Sequence, residues 1–340
     1  MHSQEQLALL LQNTIVQELL DILENEGKCV LKHLNLAYVD EVFTQQKNTN
    51  RGRPWVYTPG EKLKAFLYGL SEGKNSIHGV ARMVQTSVAQ VFLGLEQGGM
   101  SYTTLERFWH QFAVVAETVF KELAVIIANL GILGTIQAVD STSISTPYQD
   151  DPDAVWSYDA TKKDYYYGYG LLLLVDVETQ LPIAAQFVQR KQATREEWTM
   201  VIQEGLLVKK PTILLGDSGL DIVDLQNMII DEHILPVITY NPRNTDHPLD
   251  VKYRVEDLVH RRTDKVTLNR KELDRVYRRR GAVENTNNVL KQMGLEDLHV
   301  KRWNAVKTQV YLLLILRLAI AIARYHNDQQ SNLRRISIGV

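Results

Sequence analysis

Two short apolar runs of this chain each end on an aspartate. Residues 135–140 and 211–217 have the composition of buried β-strands, and their last residues are Asp140 and Asp217. The carboxyl ends of strands are where α/β sheets place ligand-binding groups. An aspartate at such a place also caps helices and stabilises turns, so a structural interpretation of each residue stands beside the functional one.

The spacing of apolar residues changes near residue 131. Before it, the spacing predicts helices over residues 4–25, 61–71, 77–84, 87–95 and 103–130. After it, strands are predicted over residues 135–140, 165–177, 181–188, 211–217 and 234–240, and helices over residues 194–207, 221–232, 273–293 and 305–326. This order predicts an α/β fold, a mixed sheet flanked by helices, preceded by an all-helical N-terminal domain.

Charge is distributed unevenly along the chain, although the formal net charge is only -2. Residues 134–249 carry 8 Lys and Arg against 17 Asp and Glu, whereas residues 250–326 carry 17 against 9. An acidic segment followed by a basic one suits a site where carboxylates hold metal and nearby cations hold phosphates. Solvated charged faces would give the same distribution.

Several classes of protein are disfavoured by composition. Cys29 is the only cysteine and the nine histidines lack zinc-ligand spacing, so we expect neither a disulfide framework nor a zinc site. No basic segment precedes the first apolar stretch, and the most apolar run, residues 311–323, is short and interrupted by Arg317. We therefore expect a cytoplasmic protein without a membrane partner.

The large aromatic residues and the long apolar stretch near the C-terminus are interpreted as core. Trp156, Trp198 and Trp303 are expected to be packing residues rather than platforms that stack on nucleic-acid bases. Residues 310–323 are expected to form a buried helix face.

One segment places a carboxylate in line with cations and a phenol. At 100° per residue, four side chains fall within an arc of about 60° on one face of the helix predicted over residues 273–293: Tyr277, Arg280, Glu284 and Lys291. Arg and Lys suit phosphate, and Tyr can donate a hydrogen bond to it. Gly281 costs about 1 kcal/mol in a helix relative to Ala, which suggests that another backbone or DNA approaches closely.

This spacing resembles a known signature. Tyr277-x2-Arg280-x3-Glu284-x6-Lys291 is similar to the Tyr-Arg-Glu-Lys motif of DDE transposases from type-four and type-five bacterial insertion sequences. Residues 138–142 resemble the first-aspartate motif of that family and residues 215–219 the second. The resemblance spans about residues 134–325, and residues 159–176 and 237–243 contribute to it.

The resemblance implies an RNase H-like fold in which Asp140, Asp217 and Glu284 converge as catalytic residues and metal ligands. Carboxylate ligands suit two Mg²⁺ ions, or Mn²⁺ in their place. The resemblance also implies that the transposon-end DNA backbone is contacted from the basic helix, by Tyr277, Arg280 and Lys291 together with the neighbouring Arg278 and Arg279.

The implied protein has three parts: an N-terminal DNA-binding and dimerisation region over residues 1–130, a catalytic domain over 131–326 and a tail over 327–340. Arg51 and Arg53 belong to a small basic cluster that we expect to help recognise the element's ends. The expected partner is double-stranded DNA, at transposon ends and target sites, bound by a homodimer because strand transfer needs two ends held together.

Two other functions stay open at this point. A domesticated protein could keep the fold and bind DNA without catalysis, and a metal nuclease could cleave DNA without joining it. The presence of Asp140, Asp217 and Glu284 favours a catalytic protein.

Overall fold

A computed structural model describes residues 36–45, 55–95, 97–159, 162–239, 241, 270–326 and 333–334. The helix predicted over residues 4–25 and the basic residues Arg51 and Arg53 lie outside these ranges. The chain divides into two units, Met1–Phe120 with Met293–Val340, and Lys121–Gln292. We refer to them as the helical unit and the sheet unit.

The described helices are α1 (Ala37–Gln45), α2 (Pro59–Ser71), α3 (Ile77–Met83), α4 (Ser87–Leu93), α5 (Tyr102–Asn129), α6 (Arg195–Val208), α7 (Val223–Asp231), α8 (Arg270–Arg278), α9 (Gly281–Gln292) and α10 (Trp303–His326). The described strands are β1 (Ile136–Ser145), β2 (Val155–Asp159), β3 (Asp164–Asp176), β4 (Pro182–Val188), β5 (Ile213–Gly216) and β6 (Leu235–Ile238). Each strand predicted from the sequence is present, with ends shifted by a few residues.

The C-terminal helix α10 belongs to the helical unit, whereas the sequence interpretation grouped it with the catalytic domain. It packs against α2, and Phe120 meets Tyr311 edge-on with ring centroids 5.8 Å apart. By length and composition α10 is apolar enough to cross a membrane, but 89% of its most apolar window is buried inside the protein. Such burial is typical of a core helix, and residues 310–322 have the predicted role.

The sheet unit contains the predicted mixed sheet. Its central strands β1 and β3 pair antiparallel, β4 adds antiparallel to the outer edge of β3, and β5 and β6 add in parallel on the other side of β1. Strand β2 pairs with the first part of β3, beside β4. The sequence interpretation missed β2, because its inward-facing side chains are polar.

Helices cover both faces of this sheet. On one face, Trp198 and Val201 of α6 pack with Leu172 and Leu174 of β3 in an apolar cluster. On the other face, α9 packs on β1 and β3. Successive side chains of a strand point to opposite faces, so Asp140, which pairs with Leu173, faces α9 rather than the α6 cluster.

The single helix predicted over residues 273–293 is two helices. Between α8 and α9, Arg279 and Arg280 form a tight turn whose N–H groups donate to the carbonyls of Val276 and Tyr277, three residues back. Gly281 begins α9, and a Cβ added there meets no atom of the described residues within 4 Å. No backbone in the described ranges therefore requires this glycine.

Gly168 of β3 is required by close approach of β1. A Cβ at Gly168 would lie 2.0 Å from the carbonyl oxygen of Ile144. We expect Gly168→Ala to lower the free energy of unfolding by about 1–3 kcal/mol, because backbone rather than a flexible side chain must move. Gly281→Ala is the matched control and should change stability by less than about 1 kcal/mol. Denaturant titration of both variants measures this; equal stabilities would contradict the packing described.

Candidate functional site

The pairing of two parallel strands brings Asp140 and Asp217 side by side. Ala138 of β1 pairs with Leu215 of β5, and the two aspartates come two residues later on the two strands. Strand β5 ends at Gly216, so Asp217 follows its last residue as predicted. Asp140, in contrast, lies inside β1, which continues to Ser145 because it stays paired with β3.

Asp140 is an electrostatically unfavourable position for a carboxylate. Burial raises its pKa to about 6, and repulsion by the charge of Asp217 adds to the shift. The N–H of Ser141, the guanidinium of Arg280 and the ammonium of Lys191 act in the opposite direction without cancelling it. The described cations near Asp140 therefore do not offset its burial and the charge of its neighbour.

Asp217 also has a structural role. Its Oδ1 accepts a hydrogen bond of 2.8 Å from the N–H of Gly219 and so caps the short 3-10 turn Ser218–Leu220. The structural and functional interpretations of this aspartate are thus compatible, because the other carboxylate oxygen takes no part in the cap.

Glu284 lies in the first turn of α9, exposed, and pairs with Arg280 four residues earlier. Burial disfavours the charged form of Arg280, but the surrounding acidic groups together raise its pKa above the usual value. These groups are Glu284, Tyr277, Asp140 and Asp217. Arg280 is therefore the cation that links the glutamate to the two aspartates.

The structure brings the two aspartates together, whereas Glu284 contacts Arg280, whose guanidinium is influenced by the charges of all three acids. Within the described residues, no three His, Cys, Asp or Glu side chains are grouped closely enough to hold a metal ion. The donors nevertheless fit a hard divalent cation, because they are carboxylate oxygens and the cations near Asp140 do not offset its burial. Mg²⁺ or Mn²⁺ suits this chemistry, and a soft metal does not.

Asn287 also contacts the aspartate pair. It is buried on α9, three residues after Glu284, and its Nδ2 lies 3.5 Å from Oδ2 of Asp140. Its Oδ1 is buried without a hydrogen-bond partner in the described part of the chain. A buried carbonyl oxygen without a partner, on a side chain next to an acidic group, is suited to a cation or an ordered water. Asn287 is not part of the Tyr277-Arg280-Glu284-Lys291 signature, so the sequence motif did not identify it.

The other predicted DNA-binding residues divide into two groups. Tyr277 is close enough to Arg280 to influence its pKa, and its hydroxyl hydrogen-bonds to the hydroxyl of Thr239. Lys291 lies two turns after Glu284 on α9. Arg279 instead pairs with Glu178 in the turn between β3 and β4. Arg278 is exposed, and its Nε donates to the carbonyl of Asp274.

Lys191 is a basic residue near the site that the sequence interpretation did not identify. It pairs with Asp159 at 2.8 Å and lowers the pKa of Asp140. It follows β4 by three residues and is brought to the site by tertiary pairing, so neither spacing nor composition could indicate it.

Similarity to known proteins extends over nearly the whole chain. Residues 133–319 match the family model described as "Transposase DDE domain". The chain is 33% identical over 318 residues to a "Probable transposase for insertion sequence element ISH11" of Halobacterium salinarum, covering 94% of this chain and 95% of that protein, in each of two strains. Among solved structures, a piggyBac transposase synaptic complex with hairpin DNA aligns with a TM-score of 0.43 at 12% identity, covering 88% of this chain and 75% of that one.

The charge imbalance predicts that Asp140→Asn stabilises the metal-free protein. A carboxyl group whose pKa is raised by folding destabilises the folded state when ionised, so the gain should be largest near pH 7 and shrink as the pH falls towards 4. Because Asp140 keeps partial contact with solvent, we expect about 1–2 kcal/mol, or roughly 3 °C in Tm. Thermal denaturation at the two pH values measures it, and an Asn variant less stable than wild type at pH 7 would contradict it.

Asn287 is predicted to support divalent-cation binding at Asp140. Mg²⁺ or Mn²⁺ titrated into the wild-type protein should raise Tm, and Asn287→Ala should weaken the apparent metal affinity by about 10–100-fold. Asn288→Ala is the matched control, because Asn288 is exposed on the same helix. Equal metal-dependent shifts in all three proteins would exclude a role for Asn287.

Proposed function

Because this chain belongs to the family of DDE transposases of insertion sequences, we propose that it binds the terminal inverted repeats of its element, cleaves there and joins the ends to target DNA. The observation that carries this proposal is the β1–β5 register, which sets Asp140 beside Asp217, with Glu284 linked to them by Arg280. We assign these three carboxylates as the catalytic triad.

The same three carboxylates are the proposed ligands of two Mg²⁺ ions, or of Mn²⁺. When bound, such ions activate an attacking hydroxyl and stabilise the departing 3′ oxygen of a phosphodiester. The residues of the chain prepare this chemistry by burying one carboxylate, placing a second beside it and keeping the third exposed on a helix that packs across the sheet.

Arg280, Tyr277 and Lys291 are proposed to contact the DNA backbone next to the scissile bond. A phosphate that approaches three carboxylates is repelled unless cations offset their charge. Arg280 already lies among the acids, and its planar guanidinium binds phosphate with two hydrogen bonds. Arg278, exposed on the same segment, extends this basic surface, whereas the pairing of Arg279 with Glu178 directs it elsewhere.

The wider assignments follow from the same proposal. The strand order β4-β3-β1-β5-β6, antiparallel in its first half and parallel in its second, supports an RNase H-like catalytic domain. The N-terminal region with Arg51 and Arg53 would recognise the element's ends. Two such ends must be held together for strand transfer, which favours a homodimer on double-stranded DNA, acting in the cytoplasm where the chromosome lies.

Glu284→Gln is predicted to abolish cleavage and spare DNA binding. It keeps the shape of the side chain but removes a charge that the proposed metal ions require. The substrate is a duplex carrying the sequence that flanks the reading frame, incubated with Mg²⁺; nicking and joining are read on denaturing gels, and binding by gel shift. Glu232→Gln is the matched control, because Glu232 is also exposed and ion-paired, to Lys210 at 2.9 Å.

The same assay separates the proposal from its alternatives. Cleavage with joining supports a transposase, cleavage alone indicates a nuclease, and binding alone indicates a non-catalytic DNA-binding protein. Unchanged cleavage by the Glu284 variant would reject the assignment of the triad.

A further inference from the structure

Four aromatic side chains share one face of the hairpin formed by β2 and the first part of β3. Trp156, Tyr158 and Tyr165 are 62%, 42% and 65% exposed, and Tyr167 lies beside them, half-buried. We call this set the aromatic face. The expectation that Trp156 is a packing residue of the core is therefore wrong, whereas Trp198 is buried as expected.

The aromatic face consists of two cross-strand pairs. Trp156 pairs directly with Tyr167, their ring centroids 5.4 Å apart, and Tyr158 pairs with Tyr165 at 5.2 Å. The two pairs follow each other along the hairpin, and the rings within each pair are inclined to one another, by 45° and 62°. They therefore present ring faces and edges side by side rather than isolated exposed rings.

The opposite face of the hairpin is anchored by polar contacts. Ser157 hydrogen-bonds to Gln192 at 2.7 Å, Asp159 pairs with Lys191 at 2.8 Å, and the N–H of Lys191 donates to the hydroxyl of Tyr166 at 2.9 Å. These contacts hold the hairpin to the segment after β4. The aromatic face is thus presented on a fixed support, and its exposure does not result from a loose hairpin.

The aromatic face continues the sheet face that carries Asp140. Asp140 pairs with Leu173, and opposite residues of antiparallel strands point to the same face. Tyr167 and Tyr165 precede Leu173 by an even number of residues, so they share that face too. At about 3.3 Å per residue they lie roughly 20–26 Å from Asp140 along β3.

We propose that the aromatic face binds DNA by stacking on unpaired bases, a contact that rests on the proposed function because base pairs next to a cut end of a duplex open more readily than those inside it. Aromatic rings stack on bases of any sequence, and cations beside them bind the backbone. Lys162 and Lys163 are exposed at the hairpin turn. Of the two acidic side chains there, Asp159 is buried and ion-paired with Lys191, and Asp164 accepts the N–H of Tyr165. This combination fits a nucleic acid better than an apolar protein surface.

The test uses the full chain, a fluorescein-labelled 20-nucleotide oligo(dT) and EDTA, so that cleavage does not contribute. Trp156→Ala combined with Tyr165→Ala should weaken binding by about ten-fold or more, measured by fluorescence anisotropy. Trp156→Phe combined with Tyr165→Phe keeps both rings and should stay within about three-fold of wild type. Leu207→Ala is the matched control, because Leu207 is an apolar side chain of the same unit that is 87% exposed.

Equal affinity of the Ala, Phe and wild-type proteins would overturn the proposal. A second result would also overturn it. If removing the rings leaves oligo(dT) binding unchanged but converts the free protein from dimer to monomer in sedimentation, the aromatic face binds a second copy of the chain rather than DNA. If wild-type protein binds oligo(dT) through these rings but cleaves no DNA with Mg²⁺, the proposed function fails and the aromatic face stands. The Phe variants keep the test valid if the Ala variants do not fold.

Discussion

The placement of a largely buried Asp140 beside Asp217 is the constraint on which the candidate site depends. The β1–β5 register sets the two carboxylates side by side, and that register is stabilised by buried apolar neighbours such as Val139 and Leu214. The fold therefore accepts an unfavourable electrostatic interaction in exchange for apolar burial. The cations Arg280 and Lys191 reduce this cost without removing it, which is the state expected of a site that binds further positive charge.

The sequence was sufficient for the strands and for the two aspartates, because apolar runs that end on an acid are local patterns. It was insufficient wherever a partner distant in sequence decides the structure. Strand β1 continues past Asp140 because β3 pairs with it as far as Ser145. Strand β2 has polar residues on its inward face. Their partners come from the segment around Lys191, which lies much later in the sequence.

The helical character of residues 273–293 was predicted correctly, but the division of this segment into α8 and α9 was not. Residues 273–293 contain no proline, so the helical periodicity gives no sign of the tight turn at Arg279 and Arg280. This turn separates the two arginines, since Arg279 pairs with Glu178 and Arg280 with Glu284. Spacing alone identifies the residues in such a motif, whereas the backbone geometry determines which partner each side chain contacts.

Strand β3 sets the distance between the two proposed DNA contacts, the aromatic face and the aspartate pair. It runs without interruption from the hairpin to the partner of Asp140, and β1 pairs with it over residues 168–176. A strand paired in this way bends little, so the aromatic face and the aspartate pair keep a nearly constant separation of roughly 20–26 Å. With about 3.4 Å per nucleotide along one strand of a duplex, this corresponds to about six to eight nucleotides. The side chains between the two places, Tyr169, Leu171 and Leu173, are fully buried. A DNA strand that reaches both places must therefore pass over the elements that cover this face, and the bases it offers to the hairpin are not those at the scissile bond.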